Sequence, residues 1–150
     1  MSVFEEILIE LRDLIQESDD FKDIDVYYDD SEMNSNVPLP AISFKIGKRE
    51  VVEYCVDGVE SVRHIEIRLH TKTLDKRKLQ SELYDYEEQL SKLISNAKDT
   101  GLIANFYEIN EIGARSIQAL MYNAKKEANQ FNMVFFSNLL RVSFDIRYKI

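Results

Sequence analysis

Residues 138–150 read NLLRVSFDIRYKI, and within them Leu140, Val142, Phe144, Ile146 and Tyr148 alternate with Arg141, Ser143, Asp145, Arg147 and Lys149. Successive side chains of an extended chain point to opposite sides, so the run predicts a strand with one apolar and one charged face. Such a strand needs neighbours to pair with and an apolar layer to cover it.

Three upstream segments have the same period. Residues 62–70 place Ile65, Ile67 and Leu69 inward and Glu66, Arg68 and His70 outward. Residues 41–46, AISFKI, alternate Ile42, Phe44 and Ile46 with Ser43 and Lys45. Gly47 then loosens the chain before a second extended region at 50–57 carrying Val52, Tyr54 and Val56, and Asp57-Gly58 supplies a turn. A meander with a wet face is expected. Ile24, Val26 and Tyr28 predict a shorter strand, and residues 102–107 a further one of open register.

Two stretches change to helical period. Across 2–17, Val3, Phe4, Ile7, Leu8, Leu11, Leu14 and Ile15 recur on one side, with Ser2 and Glu5 at capping-box spacing. Across 74–95, Leu79, Leu83, Tyr86, Leu90, Leu93 and Ile94 form the stripe, Thr73 stands at the cap, and Gly101 follows the end. Residues 29–37 form a polar connection, and Pro38 and Pro40 exclude a helix there. Residues 112–129 are compatible with a helix or a loop. Helices with one apolar stripe and a sheet with one apolar face satisfy each other. The fold class expected is therefore α+β, a two-layer domain with a mainly antiparallel sheet covered by two amphipathic helices, in one unit over 1–150.

Composition narrows the function. A chain of 150 residues with 45% hydrophobic and 31% charged side chains buries a core without a staple. Its only cysteine, Cys55, excludes an internal disulfide and a cysteine-based metal cluster. No segment approaches the roughly 18 apolar residues of a membrane span, and no leader is evident, so a cytoplasmic product is expected. A net charge of -8 disfavours nonspecific binding to nucleic acid. The charge is also uneven: residues 1–36 hold twelve acidic side chains against Arg12 and Lys22, whereas 115–150 hold six basic ones against Glu127 and Asp145. Such polarity can steer head-to-tail association.

Signatures of catalysis are weak. His64 and His70, six apart on one strand, stand about 20 Å from each other, too far to share a metal, and read as surface or sheet-edge residues. Cys55 has no histidine near it in sequence and reads as a structural thiol. Asp29, Asp30 and Glu32 lack the ligand spacing and turn glycine of a calcium loop. Phosphate-binding glycine loops and the nucleophile elbow are absent. A non-catalytic protein without metal or cofactor is expected. Arg141, Arg147 and Lys149 make a small basic face, extended by Lys125 and Lys126, and Arg63 and Arg68 can complement acids across strands or subunits. A sheet edge and the loops 29–40 and 112–133 offer further contacts.

The N-terminal helix, VPLPAISFKI leading into a strand, HIEIRLHTKT before the second helix, and the terminal NLLRVSFDIRYKI together resemble the tail-terminator and tail-completion proteins of tailed bacteriophages and prophage particles. The insertion around 112–133 departs from a simple strand connection. That resemblance implies a ring of six copies, which caps the tail tube, stops its growth and presents a surface to the head. Its implied partners are further copies of the chain, the tail-tube protein and a head-completion or connector protein, with DNA passing unbound and no membrane involved. The implied location is the host cytoplasm during assembly and the particle tail afterwards. Asp29, Asp30, Glu32, Arg63, Arg68, Arg141, Arg147 and Lys149 are the candidate interface residues. A head–tail connector or baseplate-type protein, and a small α+β enzyme, are the alternatives.

Overall fold

The computed structural model describes residues 1–29, 40–73, 76–108, 115–116 and 136–150. Helix α1 spans Val3–Glu17, strand β1 Asp25–Tyr27, β2 Ala41–Cys55, β3 Gly58–Thr73, helix α2 Lys76–Asp99, β4 Asn105–Glu108, β5 Arg115–Ser116 and β6 Phe136–Lys149. The strands form one sheet in the order β1-β2-β3-β6-β4, with β5 also on the outer side of β6. Among the described residues only β1 and β2 pair in parallel; the other pairings are antiparallel. The mixed fold with a mostly antiparallel sheet and two helices agrees with the sequence expectation.

Helix α1 starts where its cap predicts. The Ser2 hydroxyl accepts a hydrogen bond from the Glu5 backbone N–H at 3.2 Å, and Glu5 and Glu6 occupy the first turn, where the helix dipole favours anions. Replacing Ser2 with alanine is expected to cost about 1 kcal/mol in urea unfolding. Helix α2 ends in a Schellman motif: Leu102 N–H donates to Ala97 C=O, and Gly101 N–H to Lys98 C=O. Gly101 holds φ 83°, a left-handed value that only glycine adopts without cost. The helix runs to Asp99, four residues beyond the predicted stripe, because Ala97 continues the buried face.

One apolar cluster joins both helices to the sheet. From α1 come Leu8, Leu11 and Ile15, and from α2 Leu83, Leu90, Ile94 and Ala97. Across the sheet the same face repeats in rows: Ile42, Leu69 and Leu140; Phe44, Ile67 and Val142; Ile46, Ile65 and Phe144. All but Leu140 and the partly buried Ile46 in these rows are fully buried. Period-2 alternation over three long strands specifies this register, since a slip of one residue would turn each apolar row to the other side.

Four expectations need correction. The segments at 41–46 and 50–57 are one strand, β2, which absorbs Gly47 as a register shift between Ile46 and Arg49 and has a second shift between Val51 and Glu53. The hairpin turn is Val56-Asp57, with Cys55 and Gly58 as the closing pair, one residue earlier than the Asp57-Gly58 turn expected. β3 is central, between β2 and β6, so His64 and His70 are not sheet-edge residues. The charged face is not simply wet: Ser43 and Ser143 on it are fully buried. The expectations for 29–40 and 112–133 lie outside the described residues, apart from Asp29, Pro40 and the short β5.

Gly58 is required by close approach. A Cβ at this position would collide with the backbone oxygen of Ile150, which accepts from Val59 N–H while Ile150 N–H donates to Val59 C=O. Gly58→Ala must break that pair or push the strands apart. A loss of about 1–3 kcal/mol is expected in chemical unfolding, with early loss of amide protection at Val59 and Ile150.

Candidate assembly interface

The face of the sheet turned away from the apolar cluster is a lattice of charges. On its central strands, Glu66 accepts from Arg68 at 3.2 Å and lies 3.7 Å from Arg141. The three side chains keep only 16, 17 and 23% of their exposure, so a carboxylate between two guanidinium groups balances charge where little water reaches it. His64 Nδ1 meets Asp145 Oδ1 at 2.9 Å across the β3–β6 pair, and His70 Nε2 meets Ser43 Oγ at 3.0 Å across β2–β3.

Toward the hairpin tip the lattice continues with Arg147 Nε donating to Glu60 Oε1 at 2.7 Å and Lys149 Nζ to Asp57 Oδ1 at 2.6 Å. The bond from Arg147 holds the Glu60 carboxyl below its ordinary value of 4.5, opposed by desolvation and helped by the charges of Arg147 and Lys149. The same bond raises Arg147 above its ordinary value. Because the Glu60 value is depressed in the folded state, its stabilising contribution is complete above the ordinary carboxylate range. It disappears as pH falls through the lowered folded value. Unfolding midpoints of the wild type and Glu60→Gln should therefore differ near neutrality and converge in acid below pH 4.5.

Arg63 falls on the other face. Its register places it with Ile65 and Ile67, where Nε donates to the Tyr148 hydroxyl at 2.9 Å and Nη1 to the Gly47 carbonyl at 3.1 Å. Its guanidinium stacks 4.5 Å from the Phe4 ring centre, and Phe4 in turn lies 5.4 Å from the Tyr148 ring. Arg63 thus ties the first turn of α1 to the sheet. Of the candidate residues, Arg68, Arg141, Arg147 and Lys149 share one face, Arg63 does not, and Asp29 is exposed after β1. Asp30 and Glu32 lie outside the described residues, as do Lys125 and Lys126.

The distal half of β2 is open to solvent. Residues 48–54 of β2 are all exposed, including Val52 at 49% and Tyr54 at 78%, and Val56 at the turn is wholly exposed. β1 pairs only with residues 41–43. Among the described residues, no strand lies outside the rest of β2, nor outside β6 beyond Asp145, where β4 ends its pairing.

Among the described residues, chemistry elsewhere is limited. Glu53, Cys55 and Glu60 bring ligand atoms within 4.8 Å of one another, a cluster the sequence conceals because the pairing of residue 53 with 60 creates it. Arg147 already occupies Glu60 and opposes a cation there. Ser43 and His70 stand at the separation of a nucleophile and base, but Ser43 is fully buried and offers its hydroxyl to no substrate. An open groove of about 730 Å³ between α1 and the end of α2 is lined by Glu10, Asp13, Glu17, Asn96 and Leu102. No described helix is long and apolar enough to cross a membrane.

Comparison of the sequence with models of protein families gives no match, and comparison with curated proteins gives none either.

Proposed function

We propose that the protein is a non-enzymatic assembly protein, a two-layer α+β domain that closes into a ring at the end of a phage or prophage tail tube. In this role it ends tube polymerisation and offers the head-joining surface. The observation that carries the reading is the distal sheet: among the described residues no strand covers the outer edges of β2 and β6 there, and Val52, Tyr54 and Val56 are exposed. A monomer that exposes strand edges and bulky apolar side chains together invites pairing with another chain. Both helices contribute buried stripes to the cluster against the sheet, which favours the two-layer arrangement. The resemblance of the four sequence segments to tail terminators gives assembly its particular place. The acidic balance suits a passage that DNA traverses without sticking.

Electron microscopy of the protein mixed with its cognate tail-tube subunit tests this. Tubes of limited length with a cap at one end are expected. Lateral coating of the tubes, or no association, removes the reading; a ring that binds the head side but not the tube points to a connector.

A further inference from the structure

We infer that copies of this chain join by parallel pairing of the outer edge of β6, around Arg147 and Lys149, with the outer edge of β2, around Glu50 and Glu53. The inference rests on the self-association in the proposed function and names the surface that performs it.

Backbone directions come first. Val59 and Ile150 exchange both of their main-chain hydrogen bonds, so residue 59 of β3 points its backbone groups at β6. Direction alternates along an antiparallel ladder, which turns Glu60 and Val62 toward β2. Their partners Glu53 and Glu50 are therefore engaged with β3, while Arg49, Val51 and Tyr54 of β2 direct N–H and C=O outward. On β6 the same alternation turns Ile146 and Tyr148 inward and Arg147 and Lys149 outward. Asp145 follows this rule, since its outward carbonyl accepts from Ala104 N–H at 2.9 Å.

Side chains then select the partner. On the β6 edge, Arg147 and Lys149 stand on the charged face, and Tyr148 and Ile150 on the face toward the helices. On the β2 edge, Glu50 and Glu53 stand on the charged face, and Arg49, Val51 and Tyr54 on the other. β2 and β6 both run antiparallel to β3, so a second copy that keeps the strand direction and the faces of the sheet presents β2 parallel to β6. In a parallel pair, an outward-pointing residue lies beside an inward-pointing one on the same face. Arg147 and Lys149 then lie beside Glu50 and Glu53, and Tyr148 and Ile150 beside Val51 and Tyr54. Opposite charges meet on one side; on the other, the apolar groups meet and Arg49 falls beside Ile146. An antiparallel contact between these edges would lay the charged face of one copy against the apolar face of the next. The contact is head-to-tail, uses a different edge on each copy, and can propagate around a ring.

Light scattering on the full chain over a range of concentrations tests it. Glu50→Lys with Glu53→Lys should raise the concentration for half-assembly by about tenfold or more, through like charges across the contact. Arg147→Glu with Lys149→Glu should do the same, and an equimolar mixture of the two double variants should assemble again. Because the second pair also removes the Arg147–Glu60 and Lys149–Asp57 bridges, Val51→Pro gives an independent arm: it deletes an outward N–H while leaving the β3 ladder intact. Circular dichroism confirms that each variant is folded. If the wild type assembles and folded Glu50→Lys/Glu53→Lys and Val51→Pro assemble equally well, this edge contact is overturned and the ring reading stands. If the wild type stays a single copy at every concentration, alone and with tail-tube protein, both are overturned.

Discussion

Replacing Phe144 with alanine is expected to lower the unfolding free energy by about 3–5 kcal/mol, the usual range for deleting a buried aromatic ring. Phe144 is fully buried at the middle of β6, opposite Ile65 on β3 and Phe106 on β4. The ring is therefore enclosed laterally by two strands and covered by the apolar cluster, a site with little freedom to collapse into the space left behind. Against a typical total of about 5–15 kcal/mol, the loss is a large share of stability. Urea unfolding should show a lower midpoint with an unchanged slope. Tyr107→Ala, one position from Phe106 but half exposed, serves as the contrast and should change stability by about 0.5 kcal/mol or less. Equal losses at the two positions would mean that the apolar rows do not form the core described here.

Glu66→Lys should have the second large effect. Its carboxylate lies between Arg68 and Arg141 with most of its surface covered, so the substitution gathers three cations on two adjacent central strands. Removing one partner of a fully buried pair costs about 3–5 kcal/mol, and reversing the charge adds repulsion. Residual exposure of all three side chains discounts that figure, so about 3 kcal/mol is expected for lysine. Glu66→Gln keeps the shape and a hydrogen-bond acceptor and should cost about half as much. The gap between the two variants should narrow in high salt, which screens the exposed part of the repulsion. A gap that is absent at low salt would contradict the assigned charge balance.

The strongest sequence signals were those in which local pattern and tertiary demand coincide. Leu140, Val142, Phe144, Ile146 and Tyr148 face the core as their alternation predicts, and Ser2 caps α1 as its spacing to Glu5 predicts. What escaped depends on register. Two shifts let β2 continue through Gly47, and a local pattern cannot distinguish a shifted strand from two strands. Arg63 reads as a cation that complements acids across strands or subunits, yet its parity with Ile65 places it under Phe4, where a long apolar stem with a charged end fits. The cluster of Glu53, Cys55 and Glu60, and the contrast between Glu50 and Glu53 on the charged face of the β2 edge and Arg147 and Lys149 on that of the β6 edge, appear only after strands are paired. The charged alternation of residues 141–149 was visible in the sequence; which neighbour it serves was not.

Assembly into a ring is the claim from which the others take their meaning, and the mass of the full chain in solution tests it most directly. Size-exclusion chromatography with light scattering should give a concentration-dependent population at the mass of six copies, which falls toward one copy in the Glu50→Lys/Glu53→Lys variant. A mass of one copy throughout, unchanged by concentration, moderate salt or added tail-tube protein, would contradict the account.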